Sequence, residues 1–169
     1  MKYPEINWET WQPVERATLL FIIRDDRILL IHKKRGLGAG KINGPGGRLD
    51  PGETSQECAV REVQEEICVL PLNPQLCGEL KFQFTDGHSI HGLVYRADDL
   101  EGIPCETDEA IPEWFNLDNI PYGRMWMDDR LWFPLMLRGQ YFTSRYLFDE
   151  DVLTGCEITP CALPKNAPF

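Results

Sequence analysis

Glu62, Glu65 and Glu66 stand at i, i+3 and i+4, so a helix through them carries three carboxylates on one face. Like charges at this spacing repel by about 0.3 kcal/mol per close pair on an exposed helix. A bound cation offsets that repulsion, and carboxylate oxygens suit hard divalent ions such as Mg²⁺ or Mn²⁺. A solvated acidic face is the plain alternative. The preceding loop favours the cation: Gly44, Gly46, Gly47 and Gly52 let backbone come close to a ligand, and Pro51-Gly52 sets a turn. Glu53 is placed to pair with Arg61, in the bidentate way open to a guanidinium and a carboxylate, and so to tie loop to helix.

Such a site needs elements that hold it. Thr54 followed by Glu57 is a capping-box signature, and Val60, Val63 and Ile67 with Ala59 form an apolar stripe, so a helix is expected over 54–67. Its stripe would rest on a sheet and leave the carboxylates free. LLFIIR (19–24) and RILLIHKK (27–34), split by two aspartates, read as a hairpin. Residues 35–53 read as a glycine-rich loop. Further strands are expected near 75–84, 89–96, 111–116 and 141–148. A second helix over 128–138 would turn Leu131, Trp132, Leu135 and Met136 inward. Strands, helix, strands, helix and strand make an α/β protein with a sheet between helices around one core. The segment after Thr159 reads as a loosely held tail.

The chain has 169 residues, enough for one domain, with 27 acidic and 17 basic side chains and a net charge of -10. That balance argues against a general DNA or RNA backbone binder and against attachment to anionic lipid. A small polyanion stays open, because a metal ion can supply the positive charge. The N-terminal stretch has no apolar core of a signal peptide, and no apolar run approaches the roughly 18 residues of a membrane span. Cysteines at 58, 68, 77, 105, 156 and 161 show no CxxC pair, and only His32, His88 and His91 are there to complete a zinc site, so none is expected. Their irregular spacing points to reduced thiols in a cytoplasmic protein.

Gly47, Glu53, Arg61, Glu62, Val63, Glu65, Glu66 and Val69 match the Nudix box, Gx5Ex7REUxEExGU, in which U is a bulky aliphatic. Over residues 47–69 the chain resembles the Nudix hydrolases. One position departs: Cys68 stands where the family has glycine, which eases a left-handed turn after a helix. The resemblance implies a Nudix fold, a mixed β-sheet sandwiched between helices (α/β/α). It sets residues 18–158 as the domain, 1–17 as an N-terminal extension and 159–169 as a tail. It also implies cleavage of a phosphoanhydride in a nucleoside diphosphate derivative, with Mg²⁺ (or Mn²⁺) as cofactor. Carried over position by position, Glu62, Glu65, Glu66, the carbonyl of Gly46 and the distant Glu109 become metal-ligand candidates. Glu53 becomes the partner that positions Arg61, and Lys33 a phosphate contact.

KKRGLGAGKINGPGG (33–47), the FxF at 82–84 and WFNLDNIPYGRMWMDDRLWFPLML (114–137) are similar to the MutT-homologue subgroup that acts on oxidised purine nucleoside triphosphates. That resemblance places Asn43, Phe82, Trp126, Asp128 and Asp129 around a base. Trp126 offers a stacking face, Asn43 both donates and accepts, and two adjacent aspartates sharing a proton can read a purine edge. Plain roles are open beside these: Trp126 as a core aromatic, the aspartates as a helix N-terminus, Phe82 and Phe84 both in the core or both in the pocket. Met127, Pro45 and Ile42 depart from the subgroup's residues. Trp8 and Trp11 could form a lid, pack on the sheet or mediate contacts. The implied activity is hydrolysis of 8-oxo-dGTP or 2-oxo-dATP to the monophosphate and pyrophosphate by a monomer, with a homodimer open beside it, and without a stable nucleic-acid or membrane partner. The alternatives are a Nudix enzyme of other substrates and a weakly catalytic nucleotide-binding module.

Overall fold

The apolar runs at 19–23 and 28–31 are continuous rather than alternating, as in strands buried on both faces. In the computed structural model, which describes residues 5–169, they lie in β1 (Glu15–Arg24) and β2 (Arg27–Lys33). The chain continues through β3 (Ile42–Asn43), β4 (Gly46–Arg48), α1 (Ser55–Ile67), β5 (Leu70–Leu72), β6 (Gln75–Phe84) and β7 (Ser89–Ala97). Then come β8 (Asp99–Glu101), β9 (Ala110–Asn116), α2 (Asp129–Leu137), β10 (Phe142–Asp149) and β11 (Val152–Pro160). The main sheet runs β11-β10-β6-β7-β1-β2-β3, with β4 also on β1 and β9 also on β2. It is mixed: β1 pairs parallel with β7 and β10 with β6, while β1–β2 and β6–β7 are antiparallel.

The sheet divides the interior in two, where the sequence suggested one core. Leu20, Ile22, Leu29 and Ile31 pack with Ala59, Val63 and Ile67 of α1. Phe21, Ile23, Ile28 and Leu30 pack with Trp132, Phe133 and Met136 of α2. Alternate residues of the same strands therefore serve opposite helices. The observed fold is the expected α/β/α sandwich.

Four details differ from the sequence reading. The loop over 35–53 contains the short strands β3 and β4, too brief to leave a periodic signal. Leu131 is exposed and Phe133 takes the inward place, because α2 starts at Asp129 and its buried face falls on 132, 133, 135 and 136. The tail from Thr159 is tied down: β11 runs to Pro160, and the Phe169 ring packs edge-on against His91 at 4.8 Å. Cys68 and Cys105 are joined by a disulfide rather than left as thiols, since the end of α1 and the loop after β8 lie with Cα atoms 5.9 Å apart despite a sequence separation of 37.

Trp8 and Trp11 pack on the sheet. Trp11 donates its indole N–H to Gln83 Oε1 at 2.9 Å, and Lys81 and Arg145 sit over Trp11 and Trp8. Gln83 and Lys81 alternate along β6 with Leu80, Phe82 and Phe84, so the N-terminal segment covers the face opposite the cavity described next.

Candidate active site

Thr54 caps α1 as its sequence requires: its hydroxyl accepts the Glu57 N–H at 3.2 Å, and Glu57 accepts the Thr54 N–H at 2.9 Å. With its start fixed and Val63 and Ile67 buried, the helix turns Glu62 and Glu66 toward β4. Gly47 makes room for them, since a Cβ there would sit 2.4 Å from the Glu62 carboxyl carbon. Glu66 is 3% exposed, and its Oε1 accepts the Gly46 N–H at 2.9 Å. Burial raises its pKa to about 7 against the opposing effect of that hydrogen bond, with the nearby Glu62 and Glu109 charges adding to the rise. Burial also raises Glu62, although Arg61 lowers it in part.

Arg61 organises the acidic face. Its Nε and Nη2 donate to Glu53 Oε1 and Oε2 at 2.6 and 2.9 Å, a bidentate pair. Nη1 donates to Glu62 at 2.8 Å and to Glu65 at 3.1 Å, and Nη2 also reaches the Arg48 carbonyl. The guanidinium holds Glu53 down to about 2, well below the ordinary carboxylate. Glu65 is half exposed, at 52%, and does not line the cleft that its neighbours share.

That cleft, about 420 Å³, is lined by Glu62, Glu66, Glu109, Gly46, Gly47, Asp50, Lys33, Arg35 and Arg48. Glu109 reaches it from the loop before β9. Its carboxylate accepts from Arg35 at 2.8 Å and its N–H donates to Thr107 Oγ1 at 3.2 Å. Among the described residues, no three His, Cys, Asp or Glu side chains converge closely enough to hold a metal as they stand. Arg61 and Arg35 hold Glu62 and Glu109 instead. The donor chemistry nevertheless fits Mg²⁺ or Mn²⁺: hard oxygens on four carboxylates, Asp50, Glu62, Glu66 and Glu109, line one cleft, and burial raises the pKa of Glu62 and Glu66, with neighbouring carboxylate charges adding to each rise.

A second cavity, about 360 Å³, opens on the α2 side of the sheet. Asn43, Phe82, Trp126, Asp128 and Asp129 all line it, and so does Lys33. Asp128 and Asp129 are 2% and 8% exposed. Asp128 Oδ2 accepts the Trp132 indole N–H at 2.9 Å, so the helix start presents an acid fixed from below. Burial raises Asp128 to about 6 and Asp129 well above its ordinary value, Asp128's charge adding to the second shift. Asp128 is N-cap of α2 by position, yet its side chain makes no capping hydrogen bond. Trp126 stands edge-on to Phe84 and Phe148, with Lys41 Nζ 5.2 Å from its ring centre. Gly38, at φ +81°, passes close to the indole: a Cβ there would meet Trp126 Nε1 at 2.8 Å. Asn43 donates to the Lys41 carbonyl at 3.2 Å.

Phe84 lines the wall with Phe82, the pocket placement of the two that their shared strand face left open. Other cavity residues escaped the sequence reading. Phe148 follows the buried alternation of β10, readable only once that strand's inner face is known. Leu37 sits in an irregular loop and gave no signal. Lys41 and Thr107 act on the site from beside it and were likewise unmarked.

Lys33, Gly46, Gly47, Arg48 and Glu66 line both cavities, so an aromatic and acidic pocket runs directly into a carboxylate and cation cleft. A box helix set against a mixed sheet in this way defines the Nudix class of proteins. The chain belongs to that family: residues 13–136 match the NUDIX domain. It is 44% identical over 140 residues to the oxidized purine nucleoside triphosphate hydrolase of Danio rerio, covering 80% of this chain and 88% of that protein. The Mus musculus protein of the same name is 38% identical over 138 residues, with the same coverage of both chains. Among solved structures, the Mutator MutT protein from Bacillus halodurans shares the fold, with TM-score 0.78, 23% identity and 86% of this chain and 97% of that one covered. The MutT NUDIX hydrolase from Burkholderia pseudomallei has TM-score 0.61 and 32% identity over 66% of this chain and 88% of that one.

Proposed function

We propose that the chain is a Mg²⁺-dependent pyrophosphohydrolase of oxidised purine (deoxy)nucleoside triphosphates, such as 8-oxo-dGTP or 2-oxo-dATP, releasing the monophosphate and pyrophosphate and so cleansing the nucleotide pool in the cytoplasm. The observation that carries this reading is the continuity of the two cavities through Lys33 and Glu66. It lets one ligand lay its base against Trp126 and the aspartates while its phosphates reach Glu62, Glu66 and Glu109. The names of the Danio rerio and Mus musculus relatives support the substrate class.

In this reading the nucleotide enters as a small molecule and the protein works as a monomer, without a stable nucleic-acid partner. Residues 18–158 form the catalytic unit. Trp126 stacks on the base and Phe82 walls it in. Asn43 supplies a donor and an acceptor. The Asp128–Asp129 pair keeps a proton between two buried acids, so one member accepts from purine N–H groups and the other donates to an oxygen. Lys33 meets phosphate oxygens at the junction. Glu62, Glu66, Glu109 and the Gly46 carbonyl would hold the cation, with Glu65 joining when Arg61 releases it. When bound, the cation neutralises phosphate charge and lowers the pKa of an attacking water. Glu53 holds Arg61, and Arg61 keeps the acidic face from repelling itself apart.

A substrate panel tests the reading: 8-oxo-dGTP, 2-oxo-dATP, dGTP, a dinucleoside polyphosphate and ADP-ribose, each with Mg²⁺. Pyrophosphate and monophosphate should appear, fastest from the oxidised purines. Preference for ADP-ribose or the dinucleoside would move the chain to another Nudix substrate. Binding without any turnover would make it a nucleotide-binding module.

A further inference from the structure

Cys68 ends α1 at φ 68° and ψ 16°, a left-handed conformation that costs a side chain more than glycine. Its sulfur is bonded to Cys105, and both residues are exposed. The bond begins a short chain of links into the cleft. The Cys105 N–H donates to the Ile67 carbonyl at 3.1 Å. Thr107 Oγ1 then donates to the Glu66 carbonyl at 2.7 Å and accepts the Glu109 N–H at 3.2 Å. One hydroxyl thus joins the main chains of two residues that line the carboxylate cleft. On the other flank, the Lys34 N–H donates to the Glu109 carbonyl at 2.9 Å. The segment carrying Glu109 is therefore docked on the last turn of the acidic helix by one covalent bond and two hydrogen bonds, and the covalent one faces solvent.

We propose that the Cys68–Cys105 bond and Thr107 form a positioning brace that sets Glu109 against Glu62 and Glu66, and that a thiol reductant loosens it and weakens the cleft's hold on a divalent cation. The proposal rests on the reading of that cleft as the cation site. The chemistry is thiol–disulfide exchange with a dithiol. One thiolate of the reductant attacks an exposed sulfur, breaking the Cys68–Cys105 bond and forming a mixed disulfide. The second thiol of the reductant, as thiolate, closes the reductant's own disulfide and releases the remaining cysteine. The protein gains two electrons and two protons, and the dithiol loses them. In a reducing compartment, disulfides of intracellular proteins are commonly transient and redox-sensing, which suits an exposed bond beside a catalytic loop.

The test compares the oxidised full-length chain with the same chain treated with dithiothreitol, with alkylation mapped to Cys68 and Cys105. Mn²⁺ affinity is read by electron paramagnetic resonance, and amide exchange over 105–109 by mass spectrometry in metal-free buffer. Reduction should weaken Mn²⁺ binding roughly 10-fold, the low end of the usual scale for losing a group that orients metal ligands, and should speed exchange over 105–109. A Cys68→Gly/Cys105→Ser double variant should show the reduced values with or without dithiothreitol. Thr107→Val should weaken Mn²⁺ binding in the oxidised chain, and Thr107→Ser should restore it. Unchanged Mn²⁺ affinity and exchange after confirmed reduction would overturn the brace, as would a double variant that still responds to dithiothreitol. Failure to hydrolyse oxidised purines in either state would instead count against the substrate reading, and the Mn²⁺ and exchange measurements would still decide the brace.

Discussion

The Glu66 carboxylate accepts the main-chain N–H of Gly46 at 2.9 Å, making the buried end of the acidic helix and the glycine loop one hydrogen-bonded unit. Glu66→Gln keeps an oxygen for that bond and removes the charge. The variant should fold with a thermal midpoint close to the wild type while kcat falls at least about 100-fold, as expected for a lost ligand to a catalytic cation. Circular dichroism melting and pyrophosphate release check the two halves separately. A large loss of stability would assign Glu66 a structural role.

Arg61 joins Glu53, Glu62 and Glu65 at 2.6 to 3.1 Å. Arg61→Ala leaves partly buried carboxylates without their partner and should cost about 2 kcal/mol of stability, and Arg61→Lys should recover little, because an ammonium cannot make the bidentate pair. The pH sign follows from Glu53. Its folded pKa of about 2 lies below the ordinary 4.5, so its stabilisation is present above 4.5 and is lost as pH falls toward 2. Urea titrations between pH 5 and 2 should show a steeper loss in the wild type than in Arg61→Ala.

Asp128 carries the opposite sign. Its folded pKa is raised to about 6 from 3.8, so its contribution favours folding below 3.8 and is lost as pH rises through 6. Asp128→Asn still accepts the Trp132 N–H and cannot ionise. Above pH 6 it should melt higher than the wild type, and the gap should close on acidification. Its ratio of 8-oxo-dGTP to 2-oxo-dATP turnover should shift, because the pair can no longer exchange its proton between members. A constant ratio would argue against proton sharing as the source of recognition.

Lys41 links Trp126 to the turn between β10 and β11: its ammonium lies 5.2 Å from the indole centre and 3.3 Å from Asp151. Lys41→Met removes both contacts, and KM for the nucleotide should rise about 3- to 5-fold with kcat little changed, in line with about 1 kcal/mol for a partly exposed cation–π contact. Steady-state kinetics separate the two constants.

Opening the Cys68–Cys105 bond also releases a constraint on the unfolded chain. For cysteines 37 positions apart, the chain-entropy relation gives up to about 4 kcal/mol. Chemical denaturation with and without dithiothreitol should show a lower midpoint on reduction.

Much of this arrangement was legible in the sequence, for physical reasons. The capping box at Thr54 and Glu57 and the stripe through Val63 and Ile67 fixed the helix, and the helical period then fixed which carboxylates share a face. The same logic could not separate Glu65 from Glu66. Both lie on that face, and only the partner Arg61 and the depth against β4 draw one outward and bury the other. Continuous apolar strands gave the sandwich but not its two cores, because alternation is invisible where both faces are buried. The disulfide was hidden for a different reason: residues 68 and 105 meet through the sheet's connections, and no local pattern encodes that meeting.

The most direct measurement is the ratio of kcat/KM for 8-oxo-dGTP to that for dGTP, taken with Mg²⁺ by pyrophosphate release. A pocket that reads the oxidised base with buried hydrogen-bonding acids should give a ratio above about 10. A ratio at or below one, or turnover that does not depend on the divalent cation, would contradict it.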